Sequence, residues 1–174
     1  MVFILVTMLL IIILGATLKK EYSIHREITV QKSKQEVFEY IKLLRNQNEY
    51  SYYNRKDPNT IKSYSGIDGE VGFKYTWSSK MSSIGSGTQI ISKIIDGEMM
   101  CCDIQFTKPT HLKSYAEIAL ISVNENQTKV SWTFKSVYTF PLNIIIYFFN
   151  LEKLIGTDIA SSLVTLKEKL ENQN

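Results

Sequence analysis

From Thr60 to Lys135 the chain repeats with a period of two, and from Leu142 onward with a period of three to four. Few architectures accommodate that order. Val71, Phe73, Tyr75 and Trp77 alternate with Gly72, Lys74, Thr76 and Ser78, the pattern of a strand with one aromatic face. "IISKIIDGEMMCCDI" reads as two strands joined at Asp96-Gly97, a dipeptide that predicts a type I′ hairpin turn. Pro109 divides a strand ending near Thr107 from one over residues 112–123, where Ala116, Ile118 and Leu120 share a face. After the turn "NENQ", Val130, Trp132 and Phe134 share a face of the last strand. Consecutive strands joined by short turns make an antiparallel meander.

Ile145, Phe148, Leu151, Ile155, Ile159, Leu163, Leu166 and Leu170 then recur at helical spacing. They predict one helix over residues 142–171, about 45 Å long, with Pro141 at its first turn. Its first half is apolar nearly all round, and its second half is amphipathic. Upstream, Tyr22, Ile24, Ile28 and Val30 share one parity of a strand over residues 21–32, with Arg26 the charged exception. Ser33 and Glu36 form a capping box that starts a helix over residues 33–45, and a second short helix is expected before Pro58. An antiparallel sheet that buries one face needs something to bury it against, and the long helix is the only element large enough. The expectation is α+β: a sheet wrapped around a C-terminal helix, with space for a ligand near the helix ends.

Residues 2–18 carry no charge and, as a helix, span roughly 26 Å, close to the lower limit for a bilayer core of about 30 Å. Apart from Thr7 the segment has no polar face, unlike a helix packed on a soluble core. A secretory signal is the second reading, because no basic residue precedes the apolar run and Leu14 disfavours cleavage after Ala16. The expected organisation is a transmembrane anchor over residues 1–20 and a globular domain over residues 21–174. Lys19, Lys20 and Arg26 follow the apolar run, so the expected location is single-pass in a membrane with the domain facing the cytoplasm.

Several classes of chemistry find no support. Of 174 residues with a net charge of +3, only Arg26, Arg45 and Arg55 are arginines, and no Lys/Arg stripe marks a nucleic-acid surface. Cys101 and Cys102 are neighbours, which argues against an ordinary disulfide, and no spacing suggests zinc. His25 falls on a polar parity, and His111 sits at a strand start where a rim position is the default. Asp103, Gln105 and Glu117 fall on the outward parity. None of the glycines opens a helix as a phosphate-binding loop requires. Asn126-Gln127-Thr128 is a formal glycosylation sequon and reads as a turn. No catalytic residue, metal ligand or cofactor is expected.

The stretches "REITVQKSKQEVFEYI", "GEVGFKYTW", "SSIGSGTQIISKI", "CCDIQFTKP", "NQTKVSWTF" and "NLEKLIGTDIASSLVTLKEKLE" together resemble the START-like, helix-grip group known as SRPBCC. This group includes polyketide cyclase/dehydrase and lipid-transport proteins, and membrane-anchored bacterial members look similar throughout. The resemblance covers residues 21–172. It implies a cavity between sheet and C-terminal helix that takes a lipid-like or aromatic small molecule, and it implies no particular reaction. Phe73, Tyr75, Trp77, Trp132, Phe134, Tyr138 and, from the last helix, Tyr147 and Phe148 are the candidates for lining that cavity. For Phe73 and Phe134 ordinary core packing is the stronger expectation, while Trp77 and Trp132 fit either role, since each carries an N–H that wants a partner. The alternatives are an enzyme of cyclase/dehydrase type using Tyr75, Tyr138 or His111, and a protein-binding platform around Ile146 and Phe149.

Overall fold

In a computed structural model the chain is described over residues 20–147 and 150–172, together with Ile4, Val6, Ile13, Gly15, Thr17 and Leu18. Seven strands form one antiparallel sheet: β1 (Glu21–Val30), β2 (Ile61–Ser65), β3 (Lys74–Ser78), β4 (Ser86–Ile95), β5 (Met99–Lys108), β6 (Leu112–Asn124) and β7 (Gln127–Val137). Their order is β1-β7-β6-β5-β4-β3-β2, so the meander runs unbroken from β2 to β7 and β1 closes onto its end. The helices are α1 (Lys34–Ile41), the short α2 (Gln47–Tyr50) and α3 (Tyr52–Lys56), α4 (Leu142–Tyr147) and α5 (Leu151–Glu171).

The α+β helix-grip architecture follows from what each element must bury. Ile24 and Val30 of β1, Met100 and Cys102 of β5, Ile118 and Leu120 of β6 and Val130 of β7 face Ile159, Leu163, Leu166 and Leu170 of α5 in one core. Each such side chain removed from water contributes roughly 1.5–3 kcal/mol.

Ser33 caps α1 as the sequence predicts: its Oγ accepts from the Glu36 N–H, and the Glu36 carboxylate accepts from the Ser33 N–H at 3.0 Å. The Ser33 hydroxyl, which donates to the Glu36 carboxylate at 2.6 Å, then the Ser33 N–H, and Lys32 nearby, hold the Glu36 carboxyl below its ordinary range. Ser33→Ala should cost about 1 kcal/mol in a denaturation experiment, the usual worth of a serine cap. The contribution of Glu36 itself should be present above the ordinary carboxylate range and fade as pH falls through its lowered value. Helix α1 ends at Ile41 rather than near Arg45, because Asp68 from the β2–β3 loop accepts from the N–H groups of Leu44 (2.8 Å) and Arg45 (3.1 Å).

Three further expectations are corrected. The C-terminal helix is not continuous from residue 142: Asn150 caps a fresh helix, its Oδ1 accepting from the Lys153 N–H at 2.9 Å. At Asp96-Gly97 the connection has three residues, with Ile95 paired to Met99, and only Gly97 has positive φ (+68°). A type I′ turn needs positive φ at both central positions, so this is a longer turn that uses Gly97 alone in the left-handed region.

The third correction concerns the anchor over residues 1–20 and the single-pass, cytoplasm-facing membrane location built on it. Among the described residues no helix is long and apolar enough to cross a membrane, and most of residues 2–18 lie outside the described residues. Of its described residues Ile4, Val6 and Ile13 are exposed, and Gly15 meets the domain. Gly15 is buried, its carbonyl accepts from Asn143 Nδ2 at 2.6 Å, and the Phe140 ring and Ile144 close over it. The buried Asn143 side chain thus takes up the Gly15 backbone oxygen, and the orientation assigned to Lys19 and Lys20 falls with the premise of a membrane-crossing helix.

Candidate functional site

Alternation puts Tyr75 and Trp77 of β3, Gly87 and Gln89 of β4, Ile104 and Phe106 of β5, Ala116 of β6 and Trp132 and Phe134 of β7 on the concave side of the sheet. Between that side and α5 lies a cavity of about 470 Å³, which Leu142 and Ile146 of α4, Ile155 and Ile159 of α5 and Tyr53 and Asn54 of α3 also line. The volume is in the range of small-molecule sites.

Of the sequence candidates, Tyr75, Trp77, Trp132, Phe134 and Tyr138 meet at this cavity. Phe73 does not: it is buried and stacked on Tyr64, with ring centroids 6.1 Å apart and the Arg45 guanidinium 5.9 Å from its ring. Phe148 lies outside the described residues, as does the side chain of Tyr147. Ile146 is buried in the lining rather than on a surface, and its proposed companion Phe149 is outside the described residues.

An aromatic ladder supplies one wall through Tyr75, Trp77 and Phe106, with Tyr64 behind it. Tyr64 stacks on Tyr75 at 5.2 Å, Tyr75 on Trp77 at 5.6 Å, and Trp77 meets the edge of Phe106 at 5.5 Å. Trp77 lies flat across its register partner Gly87, where a Cβ would come within 2.6 Å of the indole, and its Nε1–H donates to the Ile84 carbonyl at 3.4 Å. Glycine at position 87 is therefore what seats the indole. On the opposite wall Trp132 is buried, with Tyr50 edge-on at 6.1 Å, and its Nε1 has no hydrogen-bond partner.

Electrostatically the cavity is neutral. Among the described residues lining it there is no Asp, Glu, Lys, Arg or His, and tyrosine is the only titratable type. Burial pushes the Tyr75 and Tyr138 hydroxyls above the ordinary phenol range, so both stay protonated. Burial, with the Asp158 carboxylate beside it, does the same to Tyr53. Cys102 is pushed up to about 12, chiefly by burial, and is inert as a nucleophile. His111 is exposed and outside the lining, and His25 is exposed with its Nδ1 3.0 Å from Thr133 Oγ1.

Among the lining residues that sequence reasoning did not single out are Tyr53, Phe106 and two buried glutamines. Gln89 occupies the inward parity of β4 between Tyr75 and Ile104, and Gln47 reaches the cavity from α2. The signal for Gln89 was its place on the apolar parity of "TQIIS". For Gln47 no signal existed, because a one-turn helix has no readable face.

No family model matches the chain, and neither does any curated protein. Solved structures do. The Aha1 dimer from Colwellia psychrerythraea is 18% identical, with a TM-score of 0.60 over 87% of this chain and 97% of that one. Truncated norcoclaurine synthase from Thalictrum flavum is 12% identical, with a TM-score of 0.65 over 88% and 95%. The same enzyme in complex with dopamine and hydroxybenzaldehyde is 12% identical, with a TM-score of 0.61 over 93% and 94%. At these identities the likeness is one of fold, the SRPBCC-type helix grip.

Proposed function

We propose that this chain is a binding module for an uncharged, largely apolar or aromatic small molecule, held between the sheet and α5. One observation carries the reading: a cavity of about 470 Å³ whose described lining holds aromatic and aliphatic side chains, a few amides and hydroxyls, and no ion. A charged ligand entering such a space loses its hydration without gaining a counter-ion, which is costly.

The test is a matched pair of fluorescent probes, neutral N-phenyl-1-naphthylamine and its sulfonated analogue 1-anilinonaphthalene-8-sulfonate. The neutral probe should bind at one equivalent and about tenfold more tightly than the anion, a difference of about 1.4 kcal/mol. Because burial holds the lining phenols protonated, the neutral probe's affinity should be flat from about pH 5 to about pH 9. A preference for the sulfonate, or no saturable binding, sinks the proposal.

A cyclase- or dehydrase-type reaction is the second reading, favoured by the Tyr75, Tyr138 and Tyr53 hydroxyls in the cavity wall. Such groups donate a hydrogen bond to a substrate oxygen, but phenols held above their ordinary range are poor bases. The nearest carboxylate, Asp158, raises Tyr53 further rather than activating it. Binding is accordingly the better supported reading.

A further inference from the structure

Gln47 is 4% exposed and Gln89 7% exposed, and both line the cavity. A carboxamide brings two N–H donors and a carbonyl with two lone pairs. Gln89 has the Cys102 thiol as its polar neighbour, a weak partner, and Gln47 lies beside the Tyr50 hydroxyl, which itself has no partner at hydrogen-bond distance. Most of the bonding capacity of both amides is therefore left to the cavity. Gln89 stands diagonal to Cys102 across the β4–β5 pairing, and Gln47 shares its single helical turn with Tyr50, which packs in the same core cluster as Cys102, so both amides approach the same end of the lining. Trp132, whose Nε1 has no partner, stands against Tyr50 at that end.

Burying an amide without partners is unfavourable, and leucine would occupy either position at lower cost. Resting on the binding function proposed above, we propose that Gln47 and Gln89 are the specificity-determining residues of the cavity, reading a neutral hydroxyl group on an otherwise aromatic ligand. A hydroxyl both donates and accepts, so it satisfies a carboxamide oxygen and a carboxamide N–H together. The stacked pair Tyr75 and Trp77 offers the wall for the aromatic body.

The experiment is competition against bound N-phenyl-1-naphthylamine at neutral pH by 2-naphthol and by 2-methylnaphthalene, which replaces the hydroxyl with a methyl group. On the unmodified full chain 2-naphthol should compete about tenfold more strongly, as expected when a site built to bond a hydroxyl meets an analogue lacking it. In Gln47→Leu/Gln89→Leu the ratio should fall to about one, each competitor being read against that variant's own affinity for N-phenyl-1-naphthylamine. Gln89→Met, which keeps the length of the side chain, should give an intermediate ratio of about three and serves if the double variant does not fold. A ratio near one in the unmodified chain, or near ten in the variants, overturns the role of the glutamines while leaving the binding function standing. Failure of the unmodified chain to bind N-phenyl-1-naphthylamine overturns both.

Discussion

Ala116→Trp is expected to weaken N-phenyl-1-naphthylamine binding by at least about thirtyfold, some 2 kcal/mol, without lowering the melting temperature. Ala116 sits on the concave side of β6, its register partners being Cys102 on β5 and Phe134 on β7, and it lines the cavity. An indole standing off the sheet at that point reaches toward α5 and divides the space. The stability readout separates a cavity from a packed core. Overpacking a filled core costs about 1–3 kcal/mol, whereas atoms added to open space gain contacts. A variant that loses stability but keeps its probe affinity would show that Ala116 backs onto packed side chains, and the binding function would lose its site.

Why the sequence yields the fold but only part of the site is visible at particular residues. The parity of the strands fixes which side chains are inward, because a one-residue slip would turn the apolar set to solvent. The capping box at Ser33 and Glu36 marks where α1 starts for an equally local reason. Parity does not report whether the inward space is filled. Phe73 and Tyr75 share a face, yet Phe73 is packed under Tyr64 and Arg45 while Tyr75 opens on the cavity. That difference depends on the β2–β3 loop and on where α3 and α5 end up, which are long-range facts. The end of α1 has the same character, since Asp68 captures its last amides from 23 and 24 residues away in sequence. Gln89 stands in the sequence as a polar residue on an apolar parity, but its meaning depends on Gln47 and Tyr50 arriving from the helices. The break before Leu151 rests on one asparagine, Asn150, inside a pattern whose apolar spacing runs straight through it.

Gly156→Ala should destabilise the chain by up to about 2 kcal/mol, and the same substitution should stabilise it in an Arg26→Ala background. Arg26 is the charged exception on the inward parity of β1, opposite Trp132 in register. Its guanidinium crosses α5 at Gly156, so a Cβ there would collide with it. It also donates to the His25 carbonyl at 2.8 Å and pairs with Glu152 at 2.7 Å. The pair is partly solvated, and its own contribution is correspondingly small. The larger effect is steric: displacing a packed side chain costs about 1–3 kcal/mol, against about 1 kcal/mol gained by replacing a helical glycine with alanine. For a chain of this size the loss lowers the melting temperature by up to roughly 8 °C. Once Arg26 is truncated the collision is gone and only the helix-propensity gain remains, so the sign reverses. Thermal unfolding of the four proteins of the cycle measures the coupling directly. The same sign in both backgrounds would mean that Gly156 does not serve as the seat of Arg26, and the glycine would then need a different cause.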